Sequence, residues 1–92
     1  MRFEWDAAKA AVNLKTRGIS FDEAIEAFFD PNAVAGFDSE HSVDEDRFYI
    51  IGFSSRRLLY VVYAEQSQGD VIRIISARKA EGKKQKEYEQ RW

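Results

Sequence analysis

A change of hydrophobic period at Pro31 constrains this chain more than any other feature. Before it, apolar residues recur at helical spacing; after it, they alternate or run together in short blocks, as strands do. Phe21, Ala24, Ile25, Phe28 and Phe29 fall at i, i+3, i+4, i+7 and i+8, one face of a helix. Ser20-Phe21-Asp22-Glu23 has the form of a capping box in front of that face, and Asp30-Pro31 stops it. An earlier helix is predicted from an Asp6 N-cap through Ala7, Ala10, Ala11 and Leu14 to a stop at Gly18. Beyond Pro31, Arg47–Phe53, Leu58–Glu65 and Val71–Ala77 read as three strands of an antiparallel meander. Arg2–Trp5 and Ala33–Phe37 are further short strands, the first at an edge. Glu81–Trp92 is expected to form a C-terminal helix whose first turn Gly82 weakens. The expected fold class is therefore α+β: two N-terminal helices, an antiparallel sheet meander and a C-terminal helix.

At 92 residues the chain has room for one domain, spanning 1–92, and its 45% hydrophobic content suits a packed core. The absence of cysteine excludes disulfides, thiolate zinc sites and a cysteine nucleophile, and the single histidine, His41, excludes a multi-histidine metal site. No metal or other cofactor is expected. No stretch approaches the ~20 apolar residues of a membrane span, and the N-terminus lacks a signal-peptide core. A soluble cytoplasmic protein with no membrane partner is the expectation. The net charge of −2 hides an asymmetry: residues 1–46 carry 4 Lys/Arg against 11 Asp/Glu, and residues 47–92 carry 10 against 5. If the halves stay apart in space, the basic one suits nucleic acid and the acidic one a basic partner; if they intermix, the asymmetry vanishes.

Candidate chemistry centres on Val71–Ala80. A Val/Ile strand has no structural use for a guanidinium at its middle, so Arg73 should face solvent or a partner, and Arg78 stands where the strand gives way. Guanidinium forks match phosphate geometry, so the pair is a candidate phosphate site; intramolecular ion pairs are the ordinary alternative. Pairing Tyr63 opposite Arg73 puts Tyr60, Val62, Ala64, Ile72 and Ile74 on a core face and gathers Tyr63, Glu65 and Arg73 on the other. A cationic cluster with a phenol and a carboxylate suits RNA cleavage by its own 2′-hydroxyl, which needs a base, a proton donor and cations against charge on phosphorus. Arginine fills the last role; Glu65 or Tyr63 would serve in the others. His41, set among carboxylates in the acidic stretch Asp38–Asp46, reads as a hydrogen-bonded loop residue rather than a catalyst. Trp5 reads as a core or rim aromatic, and Trp92 as a partner contact or a cover for the sheet end.

The chain also resembles a known family. Phe3-Glu4-Trp5-Asp6, Lys9, Asn13 and Gly18-Ile19-Ser20-Phe21-Asp22-Glu23-Ala24 look like the opening of BrnT-type toxins. The likeness continues through Asp30-Pro31, His41-Ser42, Glu45, Arg47-Phe48 and Gly52, and closes with Arg73–Ala80 and Tyr88-Glu89. It implies a RelE-like fold and a ribonuclease toxin of a type II toxin–antitoxin pair, cutting mRNA and inhibiting translation without a metal. It further implies neutralisation by a BrnA-like ribbon-helix-helix antitoxin, through which alone operator DNA would be bound. The catalytic expectation is Arg73 and Arg78, with Tyr63 and Glu65 in support; Arg47, Lys79, Lys83 and Lys84 are the expected RNA contacts. Two positions depart from the family pattern: Arg17 stands where a histidine is usual, and Lys84-Gln85 where Glu-Arg is common. A non-catalytic homologue that binds its antitoxin and regulates its operon is the alternative.

Overall fold

A computed structural model describes residues 1–91. Strand β1 (Arg2–Trp5) leads into helix α1 (Ala7–Arg17), whose free N–H groups at Ala8 and Lys9 donate to the Asp6 carboxylate at 2.8 and 3.1 Å. Gly18 closes the helix at φ +71°, a left-handed turn that disfavours any side chain with a Cβ. Helix α2 (Phe21–Ala27) begins at Ser20, whose hydroxyl accepts from the Glu23 N–H at 3.0 Å.

Only half of the capping box forms, because the Glu23 carboxylate is engaged elsewhere. It accepts from the Ser54 hydroxyl at 2.8 Å and from Arg57 on both oxygens, at 2.7 and 2.9 Å. Arg57 also donates to the Gly18 carbonyl at 2.9 Å, so one ion pair ties the end of α1, the start of α2 and the turn at Ser54–Arg57. The Arg57 guanidinium holds the Glu23 carboxyl below its ordinary range, against the opposing effect of burial. A depressed carboxylate stabilises the fold above its unfolded-state pKa, and that stability is lost as pH falls through the lower folded-state value. Urea melts of the wild type should therefore lose stability below pH ~4.5, and Glu23→Gln should remove that part of the acid dependence.

The remaining strands are β2 (Val34–Phe37), β3 (Phe48–Phe53), β4 (Leu58–Gln66) and β5 (Val71–Lys79), and a last helix, α3 (Lys83–Glu89), follows. In the sheet order β1-β5-β4-β3-β2, strands β2 to β5 form an antiparallel meander, while β1 lies parallel to β5. The sheet is thus mixed and not wholly antiparallel as expected, while Arg2–Trp5 is an edge strand as its alternation predicts. Helices α1 and α2 cover one face, burying Phe21, Ala24, Leu59, Val61, Tyr63, Ile72 and Ile74. Helix α3 covers part of the other, over Ile51, Tyr60 and Val62.

Several local expectations need correction. Leu14 is 53% exposed and the buried residue of α1 is Asn13; α2 ends before Phe29, which is 66% exposed. Gly82 lies in front of α3 at φ +57°, and the helix stops at Glu89; Trp92 and the His41 side chain lie outside what the structure describes. The largest correction is the β4–β5 register. Tyr63 pairs with Ile74 and Ala64 with Arg73, and a bulge at Ile75 resets the pairing to Val62 with Ser76. Both faces of β4 are covered by helices, so its apolar run does not mark which side is core.

Candidate functional site

The bulge aims one arginine into an open part of the sheet. Arg73, Ser76 and Arg78 share the face of Ala64, Val62 and Tyr60, on the side away from α1 and α2. The Arg78 guanidinium carbon lies 5.1 Å from the centroid of the Tyr60 ring, while Lys84 of α3 lies 4.9 Å from the same ring and 4.2 Å from that of Tyr49. Tyr49 in turn donates to Glu87; burial and that carboxylate push its phenol up to about 12. These contacts fix α3 against the sheet and leave the ground beside it uncovered.

A cavity of about 180 Å³ opens there. Arg17 reaches it from the end of α1, Asp38 and Arg47 from the two ends of the acidic loop, and Tyr60 and Arg78 from the sheet, over Val62, Ile75 and Ser76. Three guanidinium groups meet one carboxylate. Neither Arg47 nor Arg78 has an ion-pair partner among the described residues, and the buried Arg47 Nε has no hydrogen-bond acceptor. Unpaired arginines in a concave, partly buried setting favour a bound anion. Tyr60 is 7% exposed; burial, with Asp38 nearby, raises its pKa despite Arg78, so the phenol keeps its proton at neutral pH.

The expected cluster is divided by the observed register. Arg73 lies on the open face but is paired with Glu45 of the acidic loop, the ordinary fate of a sheet arginine. Tyr63 is on the opposite face, 6% exposed, packed edge-on against Phe28 at 5.0 Å and stacked on Phe48 at 5.8 Å. Glu65 is exposed at the end of β4, opposite Ile72 and on Tyr63's side. Of the expected RNA contacts, Arg47 lines the cavity, Lys84 packs on the two tyrosine rings, and Lys79 and Lys83 are exposed at the exit of β5 and the start of α3. The sequence does not single out Tyr60, whose apolar run reads as core, or Asp38, since an acidic loop has no distinguishing pattern. Arg17 stood out only as a departure from the family's histidine.

A larger cleft, about 640 Å³, lies between the β3–β4 turn and α3. Its cations, Arg57, Lys79 and Arg91, share their walls with Glu81 and Glu89, so it offers an anion less. Among the described residues, no helix is long and apolar enough to cross a membrane.

A small α+β protein with an arginine-walled cleft and a protonated phenol has the equipment to hold and act on a phosphodiester. Residues 5–84 match the family model for BrnT, the ribonuclease toxin of type II toxin–antitoxin systems. The chain belongs to that family. Membership makes it a ribonuclease toxin with an RNA target and an antitoxin partner. Comparison with curated proteins gives no significant match.

Proposed function

We propose that the cleft around Arg78 cleaves mRNA by attack of the 2′-hydroxyl on its neighbouring phosphate, without a metal, and so inhibits translation. The observation that carries this reading is the pair of arginines without ion-pair partners among the described residues, Arg47 and Arg78, beside the protonated Tyr60. Arg78 and Arg47 grip the phosphate and offset the charge that builds on its oxygens. Asp38, the one carboxylate in the cavity, takes the 2′-hydroxyl proton as O2′ bonds to phosphorus. Tyr60 gives its proton to the departing 5′-oxygen, leaving a 2′,3′-cyclic phosphate and a free 5′-hydroxyl. Arg73 binds the RNA backbone beside this centre, and Lys79 and Lys83 extend the contact; Lys84 acts by holding the Tyr60 ring. Tyr63 and Glu65 have no direct part, since the sheet separates them from Arg78.

The whole chain then acts as a single RelE-like domain in the cytoplasm. A BrnA-like ribbon-helix-helix antitoxin neutralises it and alone carries the complex to operator DNA. Purified protein should cut RNA in EDTA, with cyclic phosphate ends detectable by mass spectrometry. Tyr60→Phe, which keeps the ring under Arg78, should lower kcat by about 10²-fold or more with KM little changed, as loss of a proton donor does. Intact RNA and unimpaired growth on expression without antitoxin would point instead to a non-catalytic binding module.

A further inference from the structure

The loop between β2 and β3 folds over the same sheet face as the cleft. Its base is pinned where the Asp38 N–H donates to the Arg47 carbonyl at 2.8 Å. Ser42 holds the turn from inside: its hydroxyl donates to the Asp38 carbonyl at 2.6 Å and accepts from the Arg47 N–H at 2.9 Å. The tip carries Asp44, Glu45 and Asp46 and reaches past β4 to β5, where Glu45 pairs with Arg73. Glu45 and Arg47 also line one small cavity under this tip, and Arg47 is shared with the cleft of Arg78.

The arginine atoms left over are telling. Among the described residues, Glu45 takes only the Nη2 end of Arg73, and the Nε atoms of Arg73 and Arg47 are both buried without an acceptor. A carboxylate on a tethered loop thus satisfies the Arg73 fork incompletely, and a phosphate presents more acceptor oxygens to it. The pair is also cheap to open, since the side chains of Arg73 and Glu45 are 32% and 40% exposed, and partly exposed pairs are weak.

Resting on the RNA-cleaving reading above, we propose that Arg73 forms a second phosphate subsite, for the nucleotide next to the scissile one held by Arg47 and Arg78, and that Glu45 occupies it until RNA displaces it. Glu45 is then an internal competitor: RNA exchanges one carboxylate contact for a fuller phosphate contact, and the acidic tip swings off the sheet. This sets a threshold on RNA binding without touching the bond-breaking groups, so it acts on KM and leaves kcat alone.

The test is binding and cleavage of a 5′-fluorescein oligoribonucleotide by the wild type, Glu45→Gln, Arg73→Ala and the double variant, with Asp46→Asn as a charge control. Glu45→Gln should lower Kd and KM roughly two- to fivefold, the scale of a partly exposed ion pair, with kcat unchanged. Asp46→Asn should fall well short of this, and the gain should vanish in the Arg73→Ala background. Thermal melts establish that each variant is folded. If Glu45→Gln binds RNA no better than wild type, or gains as much without Arg73, the subsite is overturned while cleavage stands. If the wild type neither binds nor cuts the RNA, the RNA-cleaving reading falls and the subsite falls with it.

Discussion

Arg78→Ala should reduce RNA cleavage by two to three orders of magnitude while leaving the protein folded. Loss of one preorganised donor aimed at developing charge costs about 10²–10³ in kcat. Arg78 is exposed, makes no ion pair among the described residues and contacts the Tyr60 ring, so its removal strips charge from the cleft with little loss of packing. Arg78→Lys should recover only part of the activity, since an ammonium keeps the charge but loses the planar fork. Single-turnover cleavage measured beside a thermal melt separates the two effects. Wild-type rates in Arg78→Ala would move the chemistry away from this cleft.

Asn13→Ala should destabilise the fold by about 3–4 kcal/mol, as a lower urea midpoint with an unchanged slope. Strand β1 ends at Trp5, opposite Ile74, and so gives β5 no partner further along that edge. The Asn13 carboxamide takes its place: its NH2 donates to the Ala77 and Ile19 carbonyls at 2.9 Å each, and its oxygen accepts from the Ala77 N–H at 3.1 Å. It behaves as a single residue of missing strand. Alanine would leave one buried N–H and two carbonyls without partners, each costing roughly 1 kcal/mol or more. Since Ala77 sits between the Ile75 bulge and Arg78, the same change should also lower cleavage at temperatures well below Tm.

Much of the scaffold is legible in the chain because its rules are local. Asp6, Gly18, Ser20 and Pro31 mark helix ends through hydrogen bonds and backbone limits that need no distant partner. The alternation of Arg2–Trp5 gives a strand in the same way. That strand's parallel pairing is not legible, because its partner lies about 70 residues away and no turn sets the register. The expected grouping of Tyr63 with Arg73 turns on a single residue of register. Tyr63 joins Arg73 only if the two lie opposite each other, and the observed register, one residue away, puts Ala64 there; Arg73 and Arg78, five apart, share a face only because the bulge at Ile75 adds a residue. Nothing in Val71–Ala77 marks that extra residue, since apolar side chains suit both covered faces. Asn13 was visible as part of the family likeness, yet its role required seeing where β1 runs out.

The pairing of β1 with β5 also governs when this molecule can come into being. The first strand leaves the ribosome early, and the Arg2 N–H must wait for the Asp70 carbonyl, which it meets at 2.8 Å. Closing so long a loop is entropically slow, and no shorter contact substitutes for it. The arginine cleft draws on α1, the β2–β3 loop, β4 and β5, so it has no existence in a half-made chain. The cleft therefore takes shape only after β5 has been made and has taken its place between β1 and β4.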